Sequence, residues 1–114
     1  MNANARKARA TTRQMAHDTR AVRRAQRAVA TGVASAKNHL VAAGLDVDTA
    51  ARFAGAFSRG MTAQGKRAVS LKLRGRRAKR VEVKLYDSAT FAARLATYRP
   101  KDKEAAARFD AVAA

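Results

Sequence analysis

The sequence contains no cysteine, no tryptophan and no isoleucine. Without cysteine there is no disulfide, no thiol nucleophile and no Cys-ligated zinc or iron–sulfur site. Pro100 is the only proline, and no Pro- or Gly-rich linker divides the 114 residues, so one domain over 1–114 is expected. No apolar run approaches the roughly 20 residues of a bilayer span. Residues 1–20 hold no apolar stretch of the kind a secretory signal needs. Residues 1–17 are rich in Ala and Arg and carry no acid, as transit peptides do. The same bias runs through the whole chain, so this segment is not set apart.

Acids are scarce too. Asp and Glu number 8 against 25 Lys and Arg, a formal charge of +17. A small domain with this charge repels itself unless a polyanion compensates it. Nucleic acid is the first partner to consider, and anionic lipid a distant second.

Alanine is abundant, at 30 residues, leaving 24 larger apolar side chains. They suffice for a small, Ala-packed core. The charge is unevenly placed: residues 1–44 carry +8, 45–65 are neutral, 66–84 carry +8 within 19 positions, and 85–114 carry +1. Two basic blocks therefore flank a neutral apolar segment.

Ala3 to Ala30 contains neither Gly nor Pro and is dominated by the strong helix formers Ala and Arg. On a helical wheel Arg6, Arg9, Arg13, Arg20, Arg24 and Arg27 fall within about 60° of one another. Met15, Val22 and Val29, seven apart, lie on the opposite side and offer a seam for a homodimer. Residues 1–10 form a basic arm expected to fray, since nothing large and apolar anchors it.

Thr31-Gly32 stops this helix. A short second helix is expected over 33–43, with Gly44 at its C-terminal cap. Asp46 or Asp48 caps a third helix, which has Ala50, Phe53, Ala54, Phe57 and Met61 along one face and is expected to be the centre of the core. The period then changes from that of a helix to that of a strand. Val69, Leu71 and Leu73 alternate with polar residues, as do Val81, Val83 and Leu85. The two segments read as a β-hairpin whose Val/Leu face packs on the helices. Asp87 or Ser88 caps a fourth helix with Phe91, Ala92, Leu95 and Tyr98 inward, and Arg99-Pro100 breaks it. Asp102 caps a fifth, with Ala105, Phe109 and Val112 inward. The expected class is α+β, mainly helical, with about five helices and one basic hairpin.

Catalytic signals are weak. His17 and His39 are far apart and are expected on the surface or a helix face. Asp46 and Asp48 lack a third carboxylate nearby, so capping explains them better than metal binding. Gly65-Lys66 is followed by Arg67 rather than Ser or Thr, and Phe53–Met61 reads as helix where a phosphate loop needs a strand. The chain is read as non-enzymatic, with no cofactor and no metal.

The basic features are more specific. Asp18 is the only acid near the arginine stripe, and like charges at i,i+3 and i,i+4 cost a few tenths of a kcal/mol per pair. A run of them points to an external benefit such as phosphate contact. The turn Arg74-Gly75-Arg76-Arg77-Ala78-Lys79-Arg80 holds five cations, more than protection of an edge strand requires. Lys72 and Lys84 extend the basic side of the hairpin.

The order helix, helix, turn, helix, hairpin is that of a winged helix-turn-helix. In that arrangement 33–43 supports, Asp48–Arg59 reads, and 68–86 is the wing. Thr49, Arg52, Ser58 and Arg59 are then available to bases and phosphates.

The leading expectation is double-stranded DNA held through phosphates, by a transcriptional regulator or architectural protein of the cytoplasm or nucleoid in a prokaryotic or viral setting. RNA binding or ribosome association is the first alternative, with Tyr86 the one ring placed to stack on a base. A phage or virion subunit docking on an acidic protein surface is the second.

Overall fold

A computed structural model describes residues 3–71, 75 and 79–114. The first helix, α1, spans Ala3–Ala30. The chain leaves it through Gly32, whose φ of +109° suits a residue without a β-carbon. Val33–Ala34 form a two-residue strand, β1, so the second helix does not begin at Val33 as expected. They pair with Asp87 and Tyr86 of a strand more than 50 residues further on, a pairing that local sequence does not announce.

The second helix, α2 (Ala36–Ala42), is capped by Ser35, whose hydroxyl accepts from the Asn38 amide. It ends in a Schellman motif. The Leu45 amide donates to the Leu40 carbonyl, and that of Gly44, at φ +114°, donates to the Val41 carbonyl. The third helix, α3 (Val47–Ser58), starts after Asp46, whose carboxylate accepts from the Thr49 amide and hydroxyl. Residues 43–46 thus form a short turn between two helices.

Strands β2 (Gly65–Leu71) and β3 (Lys79–Asp87) make an antiparallel hairpin, and β1 pairs with the other edge of β3. The sheet order is β1-β3-β2. Helices α4 (Ser88–Thr97), capped by Asp87, and α5 (Lys103–Ala113), capped by Asp102, close the domain. The fold is mainly helical α+β, as the sequence implies.

Phe57 of α3 is the hub of the core. Its ring lies 5.6 Å from Phe91, 5.4 Å from Tyr98 and 6.2 Å from Phe109. Helices α3, α4 and α5 therefore meet around one ring. Leu40, Val41 and Leu45 bring α2 and its turn onto the same cluster.

On the Val/Leu face Val69, Val81, Val83 and Leu85 are half-buried, and Leu73 lies outside the described residues. Tyr86, on the opposite face, is the buried side chain of β3, at 2% exposure. Its backbone carbonyl lies 2.6 Å from His39 Nε2. His39, on the inner face of α2, is buried and stacks on Phe91 at 4.8 Å. β3 runs on past the end of its pairing with β2 and pairs there with β1, and at this end Tyr86 joins the core cluster of the helices. Ala92, expected inward, is exposed.

Helix α1 projects. Of its 28 residues only Ala25 is fully buried. The radius of gyration of 16.1 Å exceeds the roughly 13 Å of a compact chain of this length. Among the described residues no helix is long and apolar enough to cross a membrane.

Candidate nucleic-acid interface

The alanine-rich sequence of α1 favours a continuous helix, and continuity places its arginines on one side. Arg6, Arg9, Arg13, Arg20, Arg24 and Arg27 are all exposed. None has an ion-pair partner among the described residues. Asp18, the one acid of this helix, accepts from the Gln14 side chain instead. On the other side of α1, Val22 packs against the core and Val29 is half-buried, whereas Met15 remains 65% exposed. The apolar seam is thus partly used inside the molecule.

The remaining acids lie elsewhere, and all but Asp48, exposed in the first turn of α3, have a partner or a helix start to serve. Asp46 caps α3 and pairs with Arg108, which also reaches Glu104. Asp102 caps α5 and pairs with Arg52, Asp110 pairs with Arg99, and Glu82 pairs with Lys66. Burial opposes ionisation of Asp46, but hydrogen bonds from Thr49 and the Arg108 charge together hold its carboxyl below the usual carboxylate value. The Thr90 amide and hydroxyl do the same for Asp87, helped by His39. Carboxylates therefore serve helix starts and the C-terminal half, and leave α1 uncompensated.

The expected site residues divide accordingly. Arg52 is exposed, yet it lies over the Phe53 ring at 4.8 Å and 3.5 Å from Asp102, so it braces α3 against α5. Thr49 is buried, its hydroxyl bonded to Asp46 and Arg108, and is not available to a ligand. The Ser58 hydroxyl donates to the Gly55 carbonyl. Arg59 is exposed just beyond α3. Lys79, Arg80 and Lys84 are exposed on β3, while Lys72, Arg74, Arg76 and Arg77 lie outside the described residues. Tyr86, the stacking candidate, is in the core. All six Phe and Tyr rings are buried or half-buried, leaving none as an open platform for bases.

The hairpin register separates its two faces. Lys66 and Lys84 are direct cross-strand partners. Like charges facing each other destabilise a sheet, and Glu82 at 3.8 Å from Lys66 offsets only part of this. Between this face, the start of α2 and α3 runs a concavity of about 530 Å³. Lys37 and Lys84 line it, beside the small residues Ala54, Gly55 and Ser58.

A second concavity, of about 460 Å³, is lined by Arg24, Arg27, Ala28, Thr31, Asn38 and Arg67. It brings the two basic blocks of the sequence together. Arg67 was not expected at the site. Its signal is legible only once β2 is extended back to Gly65, ahead of the alternating segment.

Among the described residues no group of three His, Asp or Glu side chains gathers as metal ligands. No family model, no curated protein and no solved structure matches this chain.

Proposed function

We propose that this protein binds nucleic acid without catalysing a reaction, and that its main ligand is double-stranded DNA held by the phosphate backbone. The observation that carries the reading is the row of six exposed arginines on α1, which has no carboxylate paired with it among the described residues. From Arg6 to Arg27 the row covers about 32 Å at the rise of an α-helix, close to one turn of B-DNA. Guanidinium groups suit this role because they remain charged and match phosphate oxygens in bidentate fashion.

The element order supports a winged helix-turn-helix arrangement. A short turn joins α2 to α3, and a hairpin with a basic turn follows. In this arrangement α3 presents Arg59 and small residues, so base readout is modest and grip comes from α1 and the hairpin. The absence of an exposed ring disfavours single-stranded RNA, where stacking carries recognition. On this reading the protein acts in the cytoplasm or nucleoid, as a regulator or architectural protein.

Mobility-shift titrations on a short duplex at several salt concentrations test the proposal. Log affinity is expected to fall linearly with log salt, with a slope of about −0.9 per phosphate contact. Excess structured RNA is expected to compete less well than duplex DNA. No shift at micromolar protein in low salt overturns the reading, and stronger competition by RNA reassigns the ligand.

A further inference from the structure

We propose that Arg24, Arg27 and Arg67 form a single oxyanion site that takes one phosphodiester of the bound nucleic acid. The inference rests on the reading above and adds to it a specific place where α1 and the hairpin grip the same backbone. Arg24 and Arg27 lie one helical turn apart on α1, and Arg67 comes from β2, 40 residues later. The fold alone brings them to one concavity of about 460 Å³. A water occupies about 30 Å³, so this space admits a phosphate group with part of its hydration.

Two features set the place apart from a merely basic surface. No carboxylate lines it, and none of the three guanidinium groups has an ion-pair or hydrogen-bond partner among the described residues. The concavity around Arg52 and Arg108 is the contrast, because Asp102 and Glu104 line it and neutralise its charge. The second feature is Asn38. It is half-buried at the rim, and its carboxamide makes no hydrogen bond among the described residues, which leaves a neutral donor beside three charged ones. Three like charges lining one concavity without a counter-charge repel one another, and an anion relieves that repulsion. Planar guanidinium forks offered from two elements suit the oxygens of a phosphate. Register adds selectivity. Arg67 pairs with Val83, on the sheet face opposite to Lys66 and Lys84, so the site is separate from the lysine side of the hairpin.

The test uses the full chain and the variants Arg24→Gln, Arg67→Gln and their combination, titrated with duplex DNA across salt. Each single change is expected to lower affinity about tenfold, and the combination to reduce the salt slope by about 0.9, one phosphate contact in all. If both side chains hold one phosphate, the combined loss is smaller than the product of the single losses. Lys66→Gln removes the same charge from the opposite face and is expected to cost less than roughly threefold. Multiplicative losses, or a Lys66 effect equal to that of Arg67, overturn the shared site and leave the functional proposal standing.

Inorganic phosphate provides an independent readout. The Asn38 side-chain amide resonance is expected to shift and saturate on titration, and to stay still in Arg67→Gln. Saturation without duplex binding keeps the oxyanion site and overturns the function. No saturation overturns the site.

Discussion

Arg94 of α4 donates its Nε–H to the carbonyl of Phe57, 37 residues earlier, at 2.9 Å. The same guanidinium lies 4.8 Å from the Tyr98 ring and 3.5 Å from the Ala56 carbonyl. It thereby satisfies carbonyls at the C-terminal end of α3, where a helix has no acceptors' partners of its own. A β-carbon at Gly60 would stand 2.5 Å from this guanidinium. Gly60 is thus tied to Arg94 by space, not by backbone angle.

The first prediction follows from that pair. Arg94→Ala is expected to destabilise the fold by about 1–3 kcal/mol, the cost of orphaned carbonyls and a lost cation–π contact. Gly60→Ala pushes the same group aside and costs no more than that. In the Arg94→Ala background Gly60→Ala is expected to be close to neutral. Urea denaturation of the four species measures the coupling, and additive losses contradict the account.

His39 ties three elements together: it sits on α2, stacks on Phe91 of α4 and meets the Tyr86 carbonyl of β3. His39→Ala is expected to lose about 2–4 kcal/mol through a cavity and an orphaned carbonyl. His39→Phe keeps the ring and loses only the hydrogen bond, so it falls between. Thermal unfolding ranks the three proteins, and an unaffected melting temperature in His39→Ala refutes the role.

Stability is expected to fall in acid for a stated reason. Asp46 and Asp87 have carboxyls held below their ordinary value of about 3.9 by their capping bonds. A carboxyl whose folded value is depressed contributes stability above the unfolded value and loses it as pH drops through the folded one. Melting temperature should therefore be level above about pH 5 and decline below about pH 4. Replacing both residues by Asn keeps a capping oxygen, removes the titration and flattens the decline. An unchanged slope in that double variant sinks the explanation.

Deleting residues 1–17 separates folding from binding. This part of α1 contains no fully buried residue, so the melting temperature should shift by no more than about 3 °C. Duplex affinity should drop, and the salt slope should lessen by about 0.9 for each of Arg6, Arg9 and Arg13. Retention of full affinity places the contact elsewhere.

The arginine row also predicts a spectroscopic change. Arg6–Arg9, Arg9–Arg13, Arg20–Arg24 and Arg24–Arg27 are like-charge neighbours that each weaken the helix by about 0.2–0.5 kcal/mol. Screening by salt or by duplex DNA removes that penalty. Circular dichroism at 222 nm should strengthen as either is added to the full chain.

What was legible in advance was local. Ala and Arg without Gly or Pro imply α1, Gly44 implies the turn after α2, Asp102 is the cap of α5, and the pairs Asp46/Asp48 and Asp87/Ser88 each contain the cap that forms, because propensity and capping act within four residues. The apolar spacing of Phe53, Phe57, Phe91 and Phe109 places those rings inward for the same reason. The hairpin was visible as an alternation of period two, although its start at Gly65 was not, since Lys66 and Arg67 do not alternate.

Long-range placement was not legible. Val33 and Ala34 look helical until a distant strand takes their hydrogen bonds. Tyr86 alternates onto the polar side of its strand, yet the helices cover that side at one end and bury it. His39, Arg94 and Arg67 acquire their settings only from partners 37 to 52 residues away, or from another element's surface. The sequence by itself determined that these helices exist, the residues from which most of their caps are drawn and the segregation of charge, all of which depend on neighbours along the chain. Tertiary structure alone decided which cations remain free, because that depends on where eight carboxylates come to rest after folding.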